Sequence, residues 1–382
     1  MAIILDRKKI LIFEVTAGIG DMIMTIPMFK LLHEKMPNVD ITLAVTSEGT
    51  RQLFETCPFI SKIIKIDIKR QHFIRNNWKL LQEVRRNYEF DLCIVICDTM
   101  GYLSQSANSM ITKFIRAKRR IGFSFPVNGF SLSQLQITKL LLDDTITIDF
   151  TKHYVILNIE LLGLIGIYPD DGIPAMELWL TKDDIAVADR FLKENNIQAN
   201  DMLIGIHPGG KRIERRWPME KFPVLIDSLL DEYPGAKILI FGGPDEDKLK
   251  RDVVNLVKTD IPTIVPTVPI RSITALIKRC NLFIGNDSSL THIAAAVETP
   301  DVVIFGQANP LATGPYSKKS VVVKHQLDCQ PCCYNKEHIH TRLTCNHKRP
   351  YECLTQLSVS EVLKSVKNLS DSLSKNMRSR QY

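Results

Sequence analysis

The residues from Ile284 to Ala296, which read IGNDSSLTHIAAA, have the residue types and spacing of an anion-binding turn. An apolar run ends at Gly285, a polar cluster follows, and a helix-forming segment with His292 in its first turn comes next. A helix start exposes unpaired backbone N–H groups and the positive end of the helix dipole, which together attract phosphate. The alternative is that Asp287 or Ser288 only caps the helix, a frequent role of both residue types. This stretch alone leaves both interpretations open.

Two further polar loops follow predicted strands in the same half of the chain. The first begins with HPGG at 207–210 and continues to RRWP at 215–218, and the second reads GGPDE at 242–246. Loops after parallel strands meet at one edge of a sheet, so the three loops can surround one ligand. Glycine permits close backbone approach, Arg216 offers a fork of donors for phosphate oxygens, and Glu246 suits ribose hydroxyls. Each loop alone is also ordinary turn chemistry, but the three together favour a nucleotide diphosphate site.

Strand and helix patterns alternate along the chain, which is typical of parallel α/β folds. The first half has strand patterns at 9–15, 41–46 and 88–97 and helix patterns at 22–35, 78–86 and 153–166. The second half has strand patterns at 202–206, 237–241, 282–284 and 302–305 and helix patterns at about 222–233, 246–257, 271–280 and 289–298. The segment YPDDGIP at 168–174 is the predicted linker. Two such halves imply a ligand-binding cleft between two domains.

Length and composition agree with this organisation. A chain of 382 residues is long enough for two domains, and its 45% hydrophobic and 24% charged residues are ordinary for a soluble globular protein. No uncharged apolar run reaches the roughly 18 residues that a membrane span needs, and no secretory signal is expected at the N-terminus. The net charge of +7 fits an acidic small ligand, an anionic membrane surface or nucleic acid about equally.

The nine cysteines are unevenly distributed. Four lie in apolar contexts and are predicted to be buried, namely Cys57, Cys93, Cys97 and Cys280. The other five crowd into 329–353 together with His338, His340 and His347. Without a signal peptide a disulfide framework is not expected, which leaves metal ligation and free thiols as rivals. A structural zinc or iron would take a closed tetrahedral set of thiolates, with Cys333 spare: Cys329, Cys332, Cys345 and Cys353.

With these motifs the chain resembles glycosyltransferase family 9, the ADP-heptose:lipopolysaccharide heptosyltransferases. The resemblance covers nearly the whole chain and rests on the order of short motifs: IGD at 19–21, RIGF at 120–123, the helix from His153, the three loops of the second half, and FG at 305–306. It implies an α/β fold of GT-B architecture, with two facing Rossmann-like domains and a cleft between them. The predicted divisions are an acceptor domain at 1–172, a nucleotide-sugar domain at 173–358 that includes the Cys-rich segment, and a C-terminal helix with a basic tail at 359–382.

The resemblance also implies a reaction. We expect inverting, metal-independent transfer of a heptose or related sugar from ADP-heptose or a similar nucleotide sugar to a lipopolysaccharide-type or other glycan acceptor. Asp21 matches the family's catalytic base, and Arg216 matches a basic residue that neutralises the leaving diphosphate. The family's donor site is matched by Gly20, His207, Gly209, Glu246, Asp287, Ser288, Ser289 and His292. Simpler alternatives are a helix cap for Asp21 and a bond within its own helix turn for His292.

The sequence departs from the family pattern at two places. Ser288–Ser289 stands where the family usually has Thr-Gly, and Glu14 stands where it usually has a basic residue, before a loop one residue longer. These differences leave the donor prediction in place and the acceptor open. A protein O-heptosyltransferase is one alternative. A non-catalytic nucleotide-sugar-binding protein is another, but it would not need the carboxylate of Asp21.

The expected partners are the sugar nucleotide and a lipid-linked or polysaccharide acceptor, and no nucleic acid. The expected location is the cytoplasm, with peripheral contact at the inner membrane. Five basic residues of the first half could meet phosphate or acidic sugars, or could form a solvated helix face: Lys113, Arg116, Lys118, Arg119 and Arg120.

Overall fold

The chain folds as two compact α/β units. The computed structural model describes residues 8–13, 18–66, 73–96, 109–124, 140–259, 262–332, 345 and 347–378. The described residues up to Trp179 form the first unit, and those from Leu180 onward form the second. Each unit contains one six-stranded sheet in which every strand pair is parallel. The predicted α/β class, with two parallel sheets, is therefore confirmed.

The first sheet has the strand order β3-β2-β1-β4-β5-β6. Its strands are β1 (Lys9–Phe13), β2 (Asp40–Val45), β3 (Lys62–Lys65), β4 (Phe90–Val95), β5 (Ala117–Ser124) and β6 (Asp144–Thr147). Among the described residues of this unit, the helices include Ile19–Ile23, Ile26–Lys35, Glu48–Phe54, Phe73–Asn87 and Tyr154–Leu161, which continues as a 3-10 turn at Leu162–Ile165. The central strand β1 is apolar from Ile10 to Phe13 and almost inaccessible to solvent, as expected of a parallel strand with both faces covered.

The second sheet has the order β12-β11-β10-β7-β8-β9. Its strands are β7 (Leu203–His207), β8 (Lys237–Ile240), β9 (Thr263–Ile264), β10 (Leu282–Asn286), β11 (Asp301–Ile304) and β12 (Ser320–Val323). Its helices are Lys182–Glu194, Lys221–Glu232, Asp247–Val254, Ile270–Arg279, Ser289–Ala296, Pro310–Thr313, Glu352–Thr355 and Val359–Arg378. Counted from its own first strand, each sheet has the order 3-2-1-4-5-6 of a Rossmann fold, whose strand order reverses between the first and fourth strands.

Several elements differ from the sequence prediction. The helix predicted at 22–35 is two helices, because Pro27 lacks a backbone N–H and fits only the first turn of the second one. Five strands were missed, namely β3, β5, β6, β9 and β12, and so were helices such as Glu48–Phe54 and Lys182–Glu194. The solvated helix face suggested for the basic residues is also wrong in part, because residues 117–124 form β5.

Packing of the second unit fixes the segment that leads away from the HPGG loop. Trp217 is buried, meets the ring of Phe222 edge to face at a centroid distance of 5.1 Å, and donates from Nε1 to the carbonyl of Leu357 at 3.0 Å. The C-terminal helix Val359–Arg378 adds an apolar stripe to the same core through Val362, Val366 and Leu369. In the part of the chain that the structure describes, no helix has the length and apolar character that membrane crossing requires.

Candidate functional site

The three polar loops of the second unit meet at the reversal point of its sheet. Strands β7 and β10 are neighbours there, and Gly285 pairs with His207 in register. Strand β8 pairs with the other edge of β7, so the loop that carries Glu246 leaves the sheet beside the HPGG loop. In open parallel sheets, ligands bind in the crevice at the carboxyl ends of the strands, at this reversal point. The predicted convergence of the loops is thus realised in the fold.

Glu246 joins two of these loops through its carboxylate. Oε1 accepts the backbone N–H of Gly210 at 2.6 Å, and Oε2 accepts that of Gly243 at 2.7 Å. Oε2 also lies 3.1 Å from Nε2 of His207, and Oε1 lies 3.5 Å from a guanidinium nitrogen of Arg216. Burial alone would raise the pKa of Glu246, but the contact with His207 and the two backbone donors outweigh it and lower the pKa to about 2. The buried carboxylate is therefore ionised at neutral pH.

Glycine is required at both Gly209 and Gly210 of the HPGG loop, for a different steric reason at each position. A β-carbon at Gly209 would lie 2.2 Å from Oε1 of Glu246, so no other residue fits without moving the carboxylate. Gly210 has a φ of +138°, a conformation that other residues rarely adopt, and it faces the β-carbon of Ser288. These glycines therefore let the loop approach both Glu246 and the start of the helix Ser289–Ala296.

The helix Ser289–Ala296 starts at the expected place, but its cap differs from the simple alternative. Ser288 is the N-cap residue and has an extended backbone, yet its hydroxyl lies 3.0 Å from Nδ1 of His207 and accepts no first-turn N–H. Asp287 turns towards Arg215, with Oδ2 2.9 Å from a guanidinium nitrogen. The side chains of Asp287 and Ser288, the two residues suggested as caps, thus bond to Arg215 and His207 and not to the first-turn N–H groups of the helix. Ser289 is partly exposed in the first turn, and His292 is buried there.

Arg215 and Arg212 are site residues that the sequence analysis missed. Burial raises the pKa of Asp287, while the charges of these two arginines act in the opposite direction. Arg216, the residue predicted from the family resemblance, instead donates from Nε to the carbonyl of Gly210 at 2.7 Å. The 3-10 turn Ile213–Arg215 explains the difference, because residues three apart in such a turn share a side. The three-residue spacing of Arg212 and Arg215 in KRIER (211–215) was the sequence signal that could have identified them.

Asn286 is a second missed residue. Its side chain is fully buried; Oδ1 accepts the backbone N–H of Trp217 at 2.9 Å, and Nδ2 donates to the carbonyls of Pro208 and Gly209, each at 2.9 Å. One amide therefore links the end of β10 to both ends of the HPGG–RRWP loop. The sequence showed Asn286 only as one member of a polar cluster.

Two of the predicted site residues lie in the first unit. Asp21 accepts the backbone N–H of Gly18 on Oδ2 at 2.9 Å, so it does cap the short helix Ile19–Ile23, as the simpler alternative held. Gly20 is buried in that helix. Glu14 and the lengthened loop lie outside the described residues. The catalytic role of Asp21 stays a prediction.

Most of the basic residues proposed as acceptor contacts have partners within the first unit. Arg120 donates to three backbone carbonyls of the segment 112–117 at 2.7 to 3.3 Å. Lys118 and Arg119 form ion pairs with carboxylates, each at 2.8 Å. Arg116 has a longer pair, at 3.7 Å, and Lys113 is exposed. Arg120 thus reads as a structural residue of the β4–β5 region.

The cysteine segment is only partly described. Cys57, Cys93 and Cys280 are buried, as predicted, whereas Cys97, Cys333, His338 and His340 lie outside the described residues. Burial, and to a smaller extent the neighbouring Cys332, Cys345 and Cys329, raise the pKa of Cys353 to about 12. The four thiols predicted as ligands are thus close enough to interact. Within the described ranges, however, no three Cys, His, Asp or Glu side chains are arranged to hold a metal ion.

Comparison with known proteins gives one family. A sequence model of glycosyltransferase family 9 (heptosyltransferase) matches residues 77–341. Lipopolysaccharide heptosyltransferase 1 of Campylobacter coli is 23% identical over 369 residues, which span 94% of this chain and 98% of that protein. The structure of a family 9 glycosyltransferase from Veillonella parvula superposes with a TM-score of 0.77 at 23% identity, over 97% of this chain and 99% of the other.

Two further structures bear on fold and cofactor. The E. coli ADP-heptose lipopolysaccharide heptosyltransferase II has a TM-score of 0.70 at 19% identity and covers 95% of this chain and 98% of its own. The expected GT-B fold, with one six-stranded parallel sheet per unit, is thereby confirmed. The iron-containing dodecameric glycosyltransferase TibC of E. coli is more distant, with a TM-score of 0.56 at 14% identity over 96% of this chain and 77% of that one.

Proposed function

The chain belongs to glycosyltransferase family 9, and we propose that it transfers a heptose, or a closely related sugar, from ADP-heptose to a lipopolysaccharide-type glycan acceptor. The names of its relatives support this donor and acceptor, since one is a lipopolysaccharide heptosyltransferase and another uses ADP-heptose. The observation that carries the proposal is the convergence of His207, Glu246 and Ser288 at the reversal point of the second sheet.

The donor diphosphate would bind at the start of the helix Ser289–Ala296. The first-turn N–H groups and the helix dipole supply positive potential there, and Ser288 and Ser289 add hydroxyls. Glu246 would organise the loops and offer an acceptor to a ribose hydroxyl, because three of its four contacts are close and the fourth, with Arg216, is long at 3.5 Å. Gly209 allows the carboxylate of Glu246 to lie against the HPGG loop, because the absence of a side chain leaves the space that the carboxylate occupies.

In the proposed reaction an acceptor hydroxyl attacks the anomeric carbon of the heptose while the bond to the β-phosphate oxygen breaks. ADP leaves with the electron pair, and the configuration inverts. Asp21 takes the proton of the attacking hydroxyl. Arg216, and with it Arg215, stabilises the charge that develops on ADP, a role worth about 3 kcal/mol in comparable sites. Because these cations and the helix N–H groups supply the positive charge, the transfer itself needs no metal.

The cysteine segment would hold a structural zinc or iron. The effect of Cys332, Cys345 and Cys329 on the pKa of Cys353 supports this proposal, as does the similar fold of the iron-containing TibC. Cys329, Cys332, Cys345 and Cys353 are the proposed ligands. Four thiolates would leave no open coordination position, so such a metal would stabilise the segment and take no part in the transfer.

The proposed setting is the cytoplasmic face of the inner membrane, where a lipid-linked acceptor can be reached by peripheral contact. No nucleic acid is involved in this proposal. The deciding experiment is release of ADP from ADP-heptose by the purified protein, with truncated lipopolysaccharide, with a polysaccharide, with a protein acceptor, and with none. Release stimulated only by lipopolysaccharide supports the proposal. Stimulation only by the protein acceptor would replace the glycan acceptor with a protein, and failure to bind ADP-heptose would refute the donor.

A further inference from the structure

His207 lies between Ser288 and Glu246, with one ring nitrogen directed to each. Nδ1 is 3.0 Å from the Ser288 hydroxyl oxygen, and Nε2 is 3.1 Å from Oε2 of Glu246. His207 is 4% exposed; its contact with Glu246 is buried, and its contact with Ser288 is partly buried. The three side chains therefore form one hydrogen-bonded chain that ends at the start of the helix Ser289–Ala296.

The direction of each hydrogen bond in this chain follows from the state of Glu246. Backbone N–H groups donate to both of its oxygens and help to lower its pKa, which favours the carboxylate, and a carboxylate only accepts hydrogen bonds. Nε2 of His207 must therefore carry a proton, whether the ring is neutral or charged. The remaining freedom lies at Nδ1, which is bare in the neutral ring and protonated in the imidazolium.

The protonation of Nδ1 decides what Ser288 can offer to a ligand. When the ring is neutral, bare Nδ1 takes the single hydroxyl proton of Ser288, and only oxygen lone pairs face the helix start. A diphosphate presents only acceptors, so this state opposes its binding. When the ring is charged, Nδ1–H donates to Ser288, and the hydroxyl proton becomes available for a phosphate oxygen.

We propose that binding of the donor diphosphate at this helix start is coupled to uptake of one proton by His207. The protonated ring donates to Ser288, so that the Ser288 hydroxyl offers the ligand a hydrogen-bond donor instead of only an acceptor. The inference rests on the proposed function, because the diphosphate is that of the sugar nucleotide. His207 is a positioning residue in this scheme, since it acts on the ligand through Ser288. Release of ADP would return the proton to solvent.

The charges around His207 act in both directions. Glu246 and an incoming diphosphate favour the imidazolium, whereas Arg216, beside Glu246, opposes it. Asp287 and Arg215 form a pair next to Ser288, in which the carboxylate favours the imidazolium and the guanidinium opposes it. His292, in the first turn of the same helix, is the other imidazole that an anion at this site would affect. A test must therefore separate the two histidines.

The test is calorimetric titration of the protein with ADP-heptose, whose diphosphate does not titrate near neutral pH, in two buffers of different ionisation enthalpy between about pH 6.5 and 8.5. We expect uptake approaching one proton per ADP-heptose, with an affinity that falls by up to about tenfold per pH unit over the range of uptake. Ser288→Thr, which keeps a hydroxyl, should retain the uptake. His292→Asn should retain it as well.

Ser288→Ala should bind ADP-heptose more weakly than the wild type and with less than about half of its proton uptake. The reason is that no hydroxyl remains whose hydrogen bond could be redirected from His207 to the ligand. Uptake in Ser288→Ala equal to that of the wild type would overturn the inference. Binding of ADP-heptose by the wild type without proton uptake would also overturn it and would leave the proposed function intact. Absence of binding would refute the proposed function and the inference together.

Discussion

The carboxylate of Glu246 occupies the space that a side chain at Gly209 would need, with 2.2 Å between Oε1 and the position of a β-carbon. The same carboxylate accepts hydrogen bonds from the loop after β7 and from the loop after β8. The hydrogen bonds of Glu246 to the two loops therefore depend on the absence of a side chain at Gly209. Substitutions at this pair should reveal how much of the donor site depends on it.

Gly209→Ala should displace Glu246 and weaken ADP-heptose binding at least about tenfold, equivalent to 1.4 kcal/mol. The matched control is Gly243→Ala, whose β-carbon would lie 3.6 Å from Oε2 of Glu246, an ordinary contact distance. Calorimetric titration of both variants measures the difference. Equal affinities for the two variants would show that the close approach at Gly209 does not matter for the donor.

Acid should remove the stability that Glu246 contributes. Its folded-state pKa of about 2 is below the ordinary 4.5, so the unfolded chain takes up this proton first as the pH falls. The contribution, on the order of 3 kcal/mol, is complete above about pH 4.5 and is lost as the pH approaches 2. Urea unfolding of the wild type and Glu246→Gln at pH 7, 5 and 3 tests this. The difference between the two should shrink at pH 3, and a constant difference would contradict it.

Asn286→Ala should destabilise the second unit by about 3 kcal/mol, because it leaves a buried N–H and two buried carbonyls without their partner. Asn281→Ala is the control, since this exposed asparagine accepts one hydrogen bond, from the N–H of Leu203. That variant should lose about 1 kcal/mol or less. Urea denaturation gives both values, and similar losses would mean that Asn286 does not hold the loops.

Asp21→Asn separates the two roles of this residue. Asparagine still offers an oxygen to the N–H of Gly18, so the cap persists, whereas the base is lost. We expect kcat to fall about 10² to 10⁴-fold while the affinity for ADP-heptose stays within about twofold. Steady-state ADP release and calorimetry measure the two quantities. A variant that turns over normally would leave Asp21 with the cap alone.

Cys353→Ser should remove the proposed metal. Elemental analysis of the wild type should find about one zinc or iron per chain, and much less in the variant, because a hydroxyl is a poor replacement for a thiolate ligand. Cys57→Ser is the control, since Cys57 is a buried cysteine of the first unit and is not one of the proposed ligands. Wild-type protein without metal would settle the rivalry in favour of free thiols.

The sequence predicted the parts of the fold whose signals are local. Central strands such as β1 and β7 are continuous apolar runs, and their positions agree within about two residues with the structure. The missed strands have weaker patterns. β5 reads AKRRIGFS, in which the basic residues pair with groups on neighbouring segments, and β9 has only two residues. Such strands are recognisable only once their sheet neighbours are known.

The candidate site was predicted to the level of loops but not of contacts. That HPGG, GGPDE and NDSS lie together follows from strand order, and this the sequence could suggest. That Arg215 rather than Arg216 meets Asp287 depends on a single 3-10 turn, and the three hydrogen bonds of Asn286 join residues that are 69 to 78 positions apart. No spacing rule encodes such contacts, because they depend on how the loops pack.

The hydrogen bonds of the Asn286 amide affect the order in which the second unit can fold during synthesis. Asn286 follows Pro208 by 78 residues, so during synthesis the HPGG loop leaves the ribosome well before the side chain that fixes it. Until β10 arrives beside β7, the nascent sheet lacks the neighbour that completes its reversal point. The proposed donor-binding edge of the second unit is therefore completed only after β10 has been synthesised, and a chain that stops before residue 286 would carry the glycine loop without its support.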